Sequence, residues 1–145
     1  IENMENFRLI RQQRSFFETY LKTRRLPTKV LFVSRYPQSV DLRKWLMSIP
    51  NHYLHFGDFD LAGIKIFLSE FQEFIGSDRS SYLIPDDIEY RLNSGSRKRY
   101  DEQFHHFNEV KSNNSELQRL IDLIHNERKA YDQEGYICNS IFLNR

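Results

Sequence analysis

Asp58 and Asp60 stand two residues apart in Gly57-Asp58-Phe59-Asp60-Leu61-Ala62-Gly63, directly after the apolar run Tyr53-Leu54-His55-Phe56. In an extended segment, residues i and i+2 project from the same side. Two carboxylates on one side repel each other unless a cation lies between them. Magnesium suits that need: it prefers oxygen ligands, keeps several waters, and often takes only one or two protein carboxylates together with substrate phosphates. Gly57 lets the backbone approach closely before the acids, and Gly63 relieves crowding in the first turn of the helix that must follow. Phe59, between the acids, is expected to point into the core. The competing expectation is helix capping, since an aspartate at a helix N-terminus is favoured by hydrogen bonding and by the dipole. Capping accounts for one acid well and for two poorly.

The elements around this segment must bring it to a sheet edge. Ile1-Glu2-Asn3 reads as the last residues of a strand. Met4, Phe7, Ile10, Phe17 and Leu21 follow at roughly helical spacing, interrupted by Arg14, which leaves one helix or two. Pro27 ends this region, and residues 29–34 (Lys-Val-Leu-Phe-Val-Ser) have the continuous apolar character of a buried strand. Tyr36-Pro37 turns the chain into a short helix over 40–47 carrying Trp45, which is expected in the core or in helix packing. After the strand at 53–56, Ile64, Phe67, Leu68, Phe71, Phe74 and Ile75 fall on one helical face, with Gly76 as C-cap. Ser81 to Ile84 is a third strand closed by Pro85, residues 86–92 form a short helix, and Ser94-Gly95-Ser96 a turn. Residues 97–110 are polar, with no periodicity that assigns them. Ser115 and Gln118 make a capping-box pattern, opening a helix with Leu117, Leu120, Ile121 and Ile124 inward. The tail from Gly135 to Arg145 ends in an apolar stretch over 137–143, an edge strand or a docking segment.

Strand–helix alternation with continuous apolar strands points to an α/β fold with a parallel sheet covered by helices. Ligands of such sheets bind beyond the carboxyl ends of the strands. Two acidic groups follow strands here: Glu2, after the truncated first strand, and the Asp58–Asp60 pair.

Composition bounds the rest. The chain of 145 residues is 39% hydrophobic and 28% charged, with 12 Phe and 8 Tyr, enough for one domain with a proper core. It has no apolar run of the roughly 20 residues a membrane helix needs. It shows no signal peptide, so a cytoplasmic location is the default expectation. The one cysteine, Cys138, excludes an internal disulfide and a cysteine-based zinc cage. Residues 1–35 hold eight basic side chains against three acids, a net +5, and the remainder of the chain nets −4. A basic end can track a phosphate backbone or be a solvated helix face.

Asp58-x-Asp60-x-x-Gly63-Ile64 after an apolar strand resembles the DxDxxG motif of Toprim domains, which occur in topoisomerases, primases and several nucleases. Glu2 stands where that family has a glutamate at the end of its first strand. The likeness extends to the branch containing the type IIB topoisomerase A subunit, the meiotic double-strand-break protein and the nuclease subunit of Wadjet anti-plasmid systems. In the last group the pattern resembles Glu2-Asn3 with Phe7, then Gly57 to Gly63, then Gln133-Glu134. Leu61 departs mildly from residues often found after DxD. The resemblance implies a Toprim-like, Rossmann-like parallel sheet flanked by helices, its first strand truncated, in a single domain spanning 1–145 and belonging to a longer protein. It implies Mg2+ or Mn2+ held by Glu2, Asp58 and Asp60, with Glu134 completing a second metal site, and cleavage of nucleic-acid phosphodiesters. Two metals would activate a water and stabilise the leaving oxygen; with one metal, Glu2 would instead act as general acid or base. The implied partners are double-stranded DNA, an upstream winged-helix region of the same protein, condensin-like complex subunits, and a second copy in a homodimer. No membrane is implied.

Other readings compete. A topoisomerase-like transesterase needs a tyrosine on an upstream winged helix, and none of the eight tyrosines here has a context that nominates it. A nucleotide-sugar transferase also uses DxD, but needs a nucleotide-binding fold for which little room remains. Haloacid-type hydrolases place a Thr after DxD, where this chain has Leu61-Ala62. A module that only binds DNA or partner subunits would have no need of all three acids. The Arg97-Lys98-Arg99 cluster could touch a phosphate, though exposed charge after a turn is the commoner reason for it. His105-His106 do not share a helical face, and with His52 and His55 they lack a third ligand at zinc spacing, so solvated or partly packed roles are expected.

Overall fold

A computed structural model of the chain describes residues 1–36 and 40–137. At its centre, β1 (Tyr53–His55) and β2 (Ser80–Tyr82) pair in parallel, Tyr53 against Ser80 and His55 against Tyr82. The pairing runs on one residue further through Leu83 N–H donating to the His55 carbonyl at 2.7 Å. On the other side of β1, the Glu2 N–H donates to the Phe56 carbonyl at 3.0 Å. Ile1 in turn donates to the Val33 carbonyl at 3.0 Å and accepts from Arg35 N–H at 2.9 Å, the alternating pattern of parallel neighbours. Chain segments therefore lie side by side in the order 33–35, 1–2, 53–56, 80–83, and Glu2 lies one position across from the end of β1.

Helices flank this sheet. α1 (Met4–Arg8) and α2 (Arg14–Thr23) are two pieces separated at residues 9–13. Asn3 caps α1, its side chain accepting from Glu5 and Asn6 N–H. Phe17 and Leu21 bury the inner face of α2, and Phe17 meets Phe56 edge-on at 5.3 Å. α3 (Val40–Ser48) precedes β1. α4 (Leu61–Ile66), a π-helical stretch over Phe67–Gln72, and α5 (Glu73–Ile75) form one continuous rod closed by Gly76 at φ +98. α6 (Ile88–Leu92), α7 (Arg97–Phe107) and α8 (Ser115–Glu127) follow. α7 packs on α4, and α6 on α8. Among the described residues, no helix is long and apolar enough to cross a membrane.

The molecule is thus mixed α/β, with a small parallel sheet between helices. Several expectations are corrected. The run at 29–34 is not a buried strand: Val30 is 43% and Leu31 75% exposed. A row of apolar residues has the same pattern at a sheet edge as at its centre, and the backbone bonds here, from Val33 and Arg35 to Ile1, fall at its end. Trp45 is 40% exposed rather than core. Phe74 is exposed too, with the Arg43 guanidinium 4.0 Å above its ring. The wider π turn rotates the helix so that Phe67, Phe71 and Ile75 stay inward and Phe74 leaves the face. Residues 97–107, unassigned from sequence, are helical, capped by Ser96. Asn114, not Ser115, caps α8 by accepting from Leu117 N–H, and Gln118 reaches back to Ser112 N–H at 2.8 Å. Pro37, Cys138 and the apolar stretch up to Leu143 lie outside the described residues, apart from Ile137, which is buried.

Candidate functional site

Asp58 and Asp60 emerge from β1 and do different jobs. Asp60 is 3% exposed; its Oδ1 accepts from Gly63 N–H at 2.7 Å as the N-cap of α4, and its Oδ2 accepts from Gln103 Nε2 at 2.8 Å. Gln103 Oε1 meanwhile accepts from Ala62 N–H, so one amide from α7 locks both the cap and the first turn. Asp58 caps nothing. Its Oδ1 accepts from Gln133 N–H at 2.9 Å, and its Oδ2 faces Arg99 Nη1 at 3.9 Å. Phe59 between them is fully buried, as expected.

The chain end brings a second set of groups to this loop. After α8, Arg128 turns the chain in the left-handed region at φ 51. Residues 130–131 then run antiparallel to the rim. Phe59 and Tyr131 exchange two backbone hydrogen bonds, as do Ser96 and Ala130. This carries Asp132, Gln133 and Glu134 alongside the aspartates. Gln133 is fully buried: its side chain reaches Asp58 Oδ1 and accepts from Asn3 N–H, and its carbonyl accepts from Asn6 Nδ2. Glu134 is exposed and accepts from Asn3 Nδ2 at 2.5 Å.

Glu2 lies at the same rim, not on the opposite edge. A Cβ on Gly57 would fall 2.6 Å from Glu2 Oε2, one residue before Asp58. Arg35 Nη1 is 3.4 Å from Glu2 Oε1, and its Nη2 binds Glu70 at 2.8 Å. His55, expected to be solvated or partly packed, is fully buried, with Nε2 at 3.5 Å from Glu2 Oε2.

The electrostatics are those of an undercompensated acidic rim. Burial pushes the Asp58 carboxyl above its ordinary range, the Gln133 N–H opposes this, and the charges of Asp60 and Glu2 add to the rise. Burial also acts to raise Glu2, but the His55 ring and the Arg35 guanidinium outweigh it and hold Glu2 low. One cationic group answers both aspartates: Arg99 Nη1 lies 3.9 Å from Asp58 Oδ2 and 3.8 Å from Asp60 Oδ2, and also contacts Asp132. The guanidinium stands where a shared cation would. Arg97 and Lys98, by contrast, pair along the helix surface with Asp101 and Glu102.

Among the described residues, no three His, Cys, Asp or Glu side chains gather into a metal cage of their own. The Oδ2 atoms of Asp58 and Asp60, both facing Arg99, are the oxygens that could hold a hard cation taking two carboxylates and completing its shell with water and phosphate, Asp60 Oδ2 giving up Gln103 to do so. Gln103 and Asp132 escaped the sequence reading, which held no signal for them; Gln133 entered it only through the Gln133-Glu134 pattern, and His55 only as a histidine set aside for zinc. Because the buried Gln133 side chain accepts from Asn3 N–H and donates to Asp58 Oδ1, Gln133→Leu is expected to destabilise the fold by about 2 kcal/mol, read by urea denaturation. A cost near zero would show that these bonds do not hold the rim.

The chain belongs to the family described as a domain of unknown function, DUF7281, whose model matches residues 35–145. The match contains Asp58, Asp60, Gln103 and Gln133-Glu134 and begins after Glu2. No curated protein and no solved structure matches the chain.

Proposed function

We propose that this is a Toprim-type domain that holds Mg2+ or Mn2+ on Asp58 and Asp60 and cleaves phosphodiester bonds of double-stranded DNA. The observation carrying the reading is the convergence of Asp58 Oδ2 and Asp60 Oδ2 on one cationic group, at the rim where Glu2 also lies. When bound, the cation would polarise a phosphate oxygen and make a water acidic enough to attack at neutral pH.

The chain's own residues supply the rest. Gln133 and Gln103 fix the rotation of the two aspartates, with both Oδ2 atoms on the side of Arg99; Asp60 Oδ2 would exchange its Gln103 bond for the cation. Glu2, at the same rim, would supply a third carboxylate, and Arg35 restrains it. Glu134, tied to Glu2's neighbour Asn3, is the fourth acid at this end. Arg99, 38% exposed by side chain and paired with Asp132 as well as with the aspartates, would yield the aspartates to a bound metal and keep a guanidinium edge for a phosphate oxygen. A setting in plasmid restriction rests on the motif resemblance alone.

The test uses the full-length protein and supercoiled plasmid. Nicking or linearisation is expected with Mg2+ or Mn2+, and its loss with chelator. The same metals are expected to stabilise the protein by about 2.7 kcal/mol at a hundred times their Kd, read as a rise in Tm. Cleavage undiminished by chelator, or by Asp58→Ala, would reject the assignment.

A further inference from the structure

The buried histidine beside Glu2 has no part in the scheme above. His55 ends β1 with its ring against Phe67, Phe71 and Tyr82, at 5.4, 5.2 and 5.3 Å between centroids. An imidazole in such surroundings is costly unless both nitrogens are used. Its Nδ1 lies 2.8 Å from the Tyr53 hydroxyl. Burial keeps that phenol protonated, and with Nδ1 as its partner the O–H donates and Nδ1 accepts. The ring proton is thereby left on Nε2. Nε2 and Glu2 Oε2 are both shielded from solvent, have no hydrogen-bond partner, and face each other at 3.5 Å. Gly57 keeps the space over both atoms open: a Cβ there would lie 2.6 Å from one and 2.7 Å from the other.

We infer that His55 is a positioning residue for Glu2: Tyr53 sets its tautomer, and Nε2–H donates to the Glu2 carboxylate, holding it toward the aspartate pair. The chain Tyr53–His55–Glu2 would orient a ligating carboxylate from behind, as partners outside the coordination shell do in metal sites. The other oxygen, Oε1, lies 3.4 Å from Arg35 Nη1. This inference rests on the metal reading proposed above, so its test separates the two.

Mn2+ binding to the full-length protein, measured by calorimetry or by the resonance signal of free Mn2+, is compared across variants, with Tm recorded in the absence of metal. His55→Leu removes the donor but fills the apolar space. It is expected to weaken Mn2+ binding about 10–100-fold in protein that remains folded, as a cooperative melt shows, with a modest fall in Tm from the orphaned Tyr53 hydroxyl. His55→Gln, whose Nε2 can donate from nearly the same place, is expected to bind within about threefold of wild type. Tyr53→Phe frees the tautomer and should weaken binding several-fold; it carries the test if the Leu variant does not fold. Wild-type Mn2+ affinity in His55→Leu, or in Tyr53→Phe should that variant be the one available, overturns the positioning role. Absence of Mn2+ binding by the wild type, or its survival in Asp58→Ala, overturns the metal reading and this inference with it.

Discussion

Asp58→Asn and Asp60→Ala are expected to abolish metal-dependent cleavage alike, while moving Tm in opposite directions. The two acids are neighbours with unlike surroundings. Asp60 is spent on structure as well as charge: it caps α4 and anchors Gln103. Alanine removes both acceptors, leaving the Gly63 N–H and the Gln103 amide without their partner. A lost cap costs about 1 kcal/mol and an orphaned buried donor about 1–3 kcal/mol, so Tm should fall by several degrees. Asp58 does no capping, and its ionised form is disfavoured in the fold, chiefly by burial. Its folded pKa lies above its unfolded value. Ionisation therefore costs stability in full above the folded pKa, and the cost disappears as pH falls through the window between the two values. Asparagine keeps an oxygen for the Gln133 N–H and cannot ionise. Asp58→Asn should thus be more stable than wild type at neutral pH, with the advantage shrinking in acid. Melting curves across pH, beside plasmid nicking, check both arms. An Asp58→Asn variant less stable than wild type at neutral pH would mean that Arg99 compensates the carboxylate fully, and the case for a vacant cation demand at this rim would fail.

That contrast also shows what could be read before any coordinates. A strand running into two acids, a glycine on either side and an amphipathic helix beyond are local features, and local geometry delivers them: Phe59 is inward, Asp60 caps, and Gly63 meets the Asp58 carbonyl. That Glu2 lies at the same rim as the pair depends on the Glu2–Phe56 backbone bond across the sheet, which the motif resemblance implies and local spacing does not. α7 was illegible for a physical reason. Its face toward α4 carries Arg99 and Gln103, because that face serves a polar site. Polar residues pointing inward erase the hydrophobic period by which a helix is detected. His55 hid inside an apolar run for the converse reason: strand period places a residue on a face but cannot say that the face there holds a carboxylate. The π turn has no sequence mark, and so α-helical spacing places Phe74 inward where the structure has it outside.

Gly63→Ala tests the loop from its far side, and here propensity and packing predict opposite signs. Glycine within a helix is worse than alanine by about 1 kcal/mol, so by propensity alone the substitution stabilises. Packing says otherwise. A Cβ at Gly63 would lie 2.5 Å from the Asp58 carbonyl oxygen, 3.3 Å from its carbon and 3.2 Å from Asp60 Oδ1. The carbonyl cannot retreat freely, because it accepts from the buried Tyr82 hydroxyl at 2.6 Å. Nor can the helix, whose first turn is held by the Asp60 cap and by Gln103. Relief requires the 57–60 segment to shift, breaking the Tyr82 bond or the cap and separating the carboxylates that face Arg99. Overpacking costs about 1–3 kcal/mol and a broken buried bond adds about 1–3 kcal/mol, together well beyond the propensity gain. The expected result is a clear loss in the urea midpoint together with loss of Mn2+ binding. The two losses are linked because one rigid turn both starts α4 and aims the acids. A Gly63→Ala protein as stable as wild type would show that the turn is soft, and a soft turn could not hold two like charges face to face for a cation.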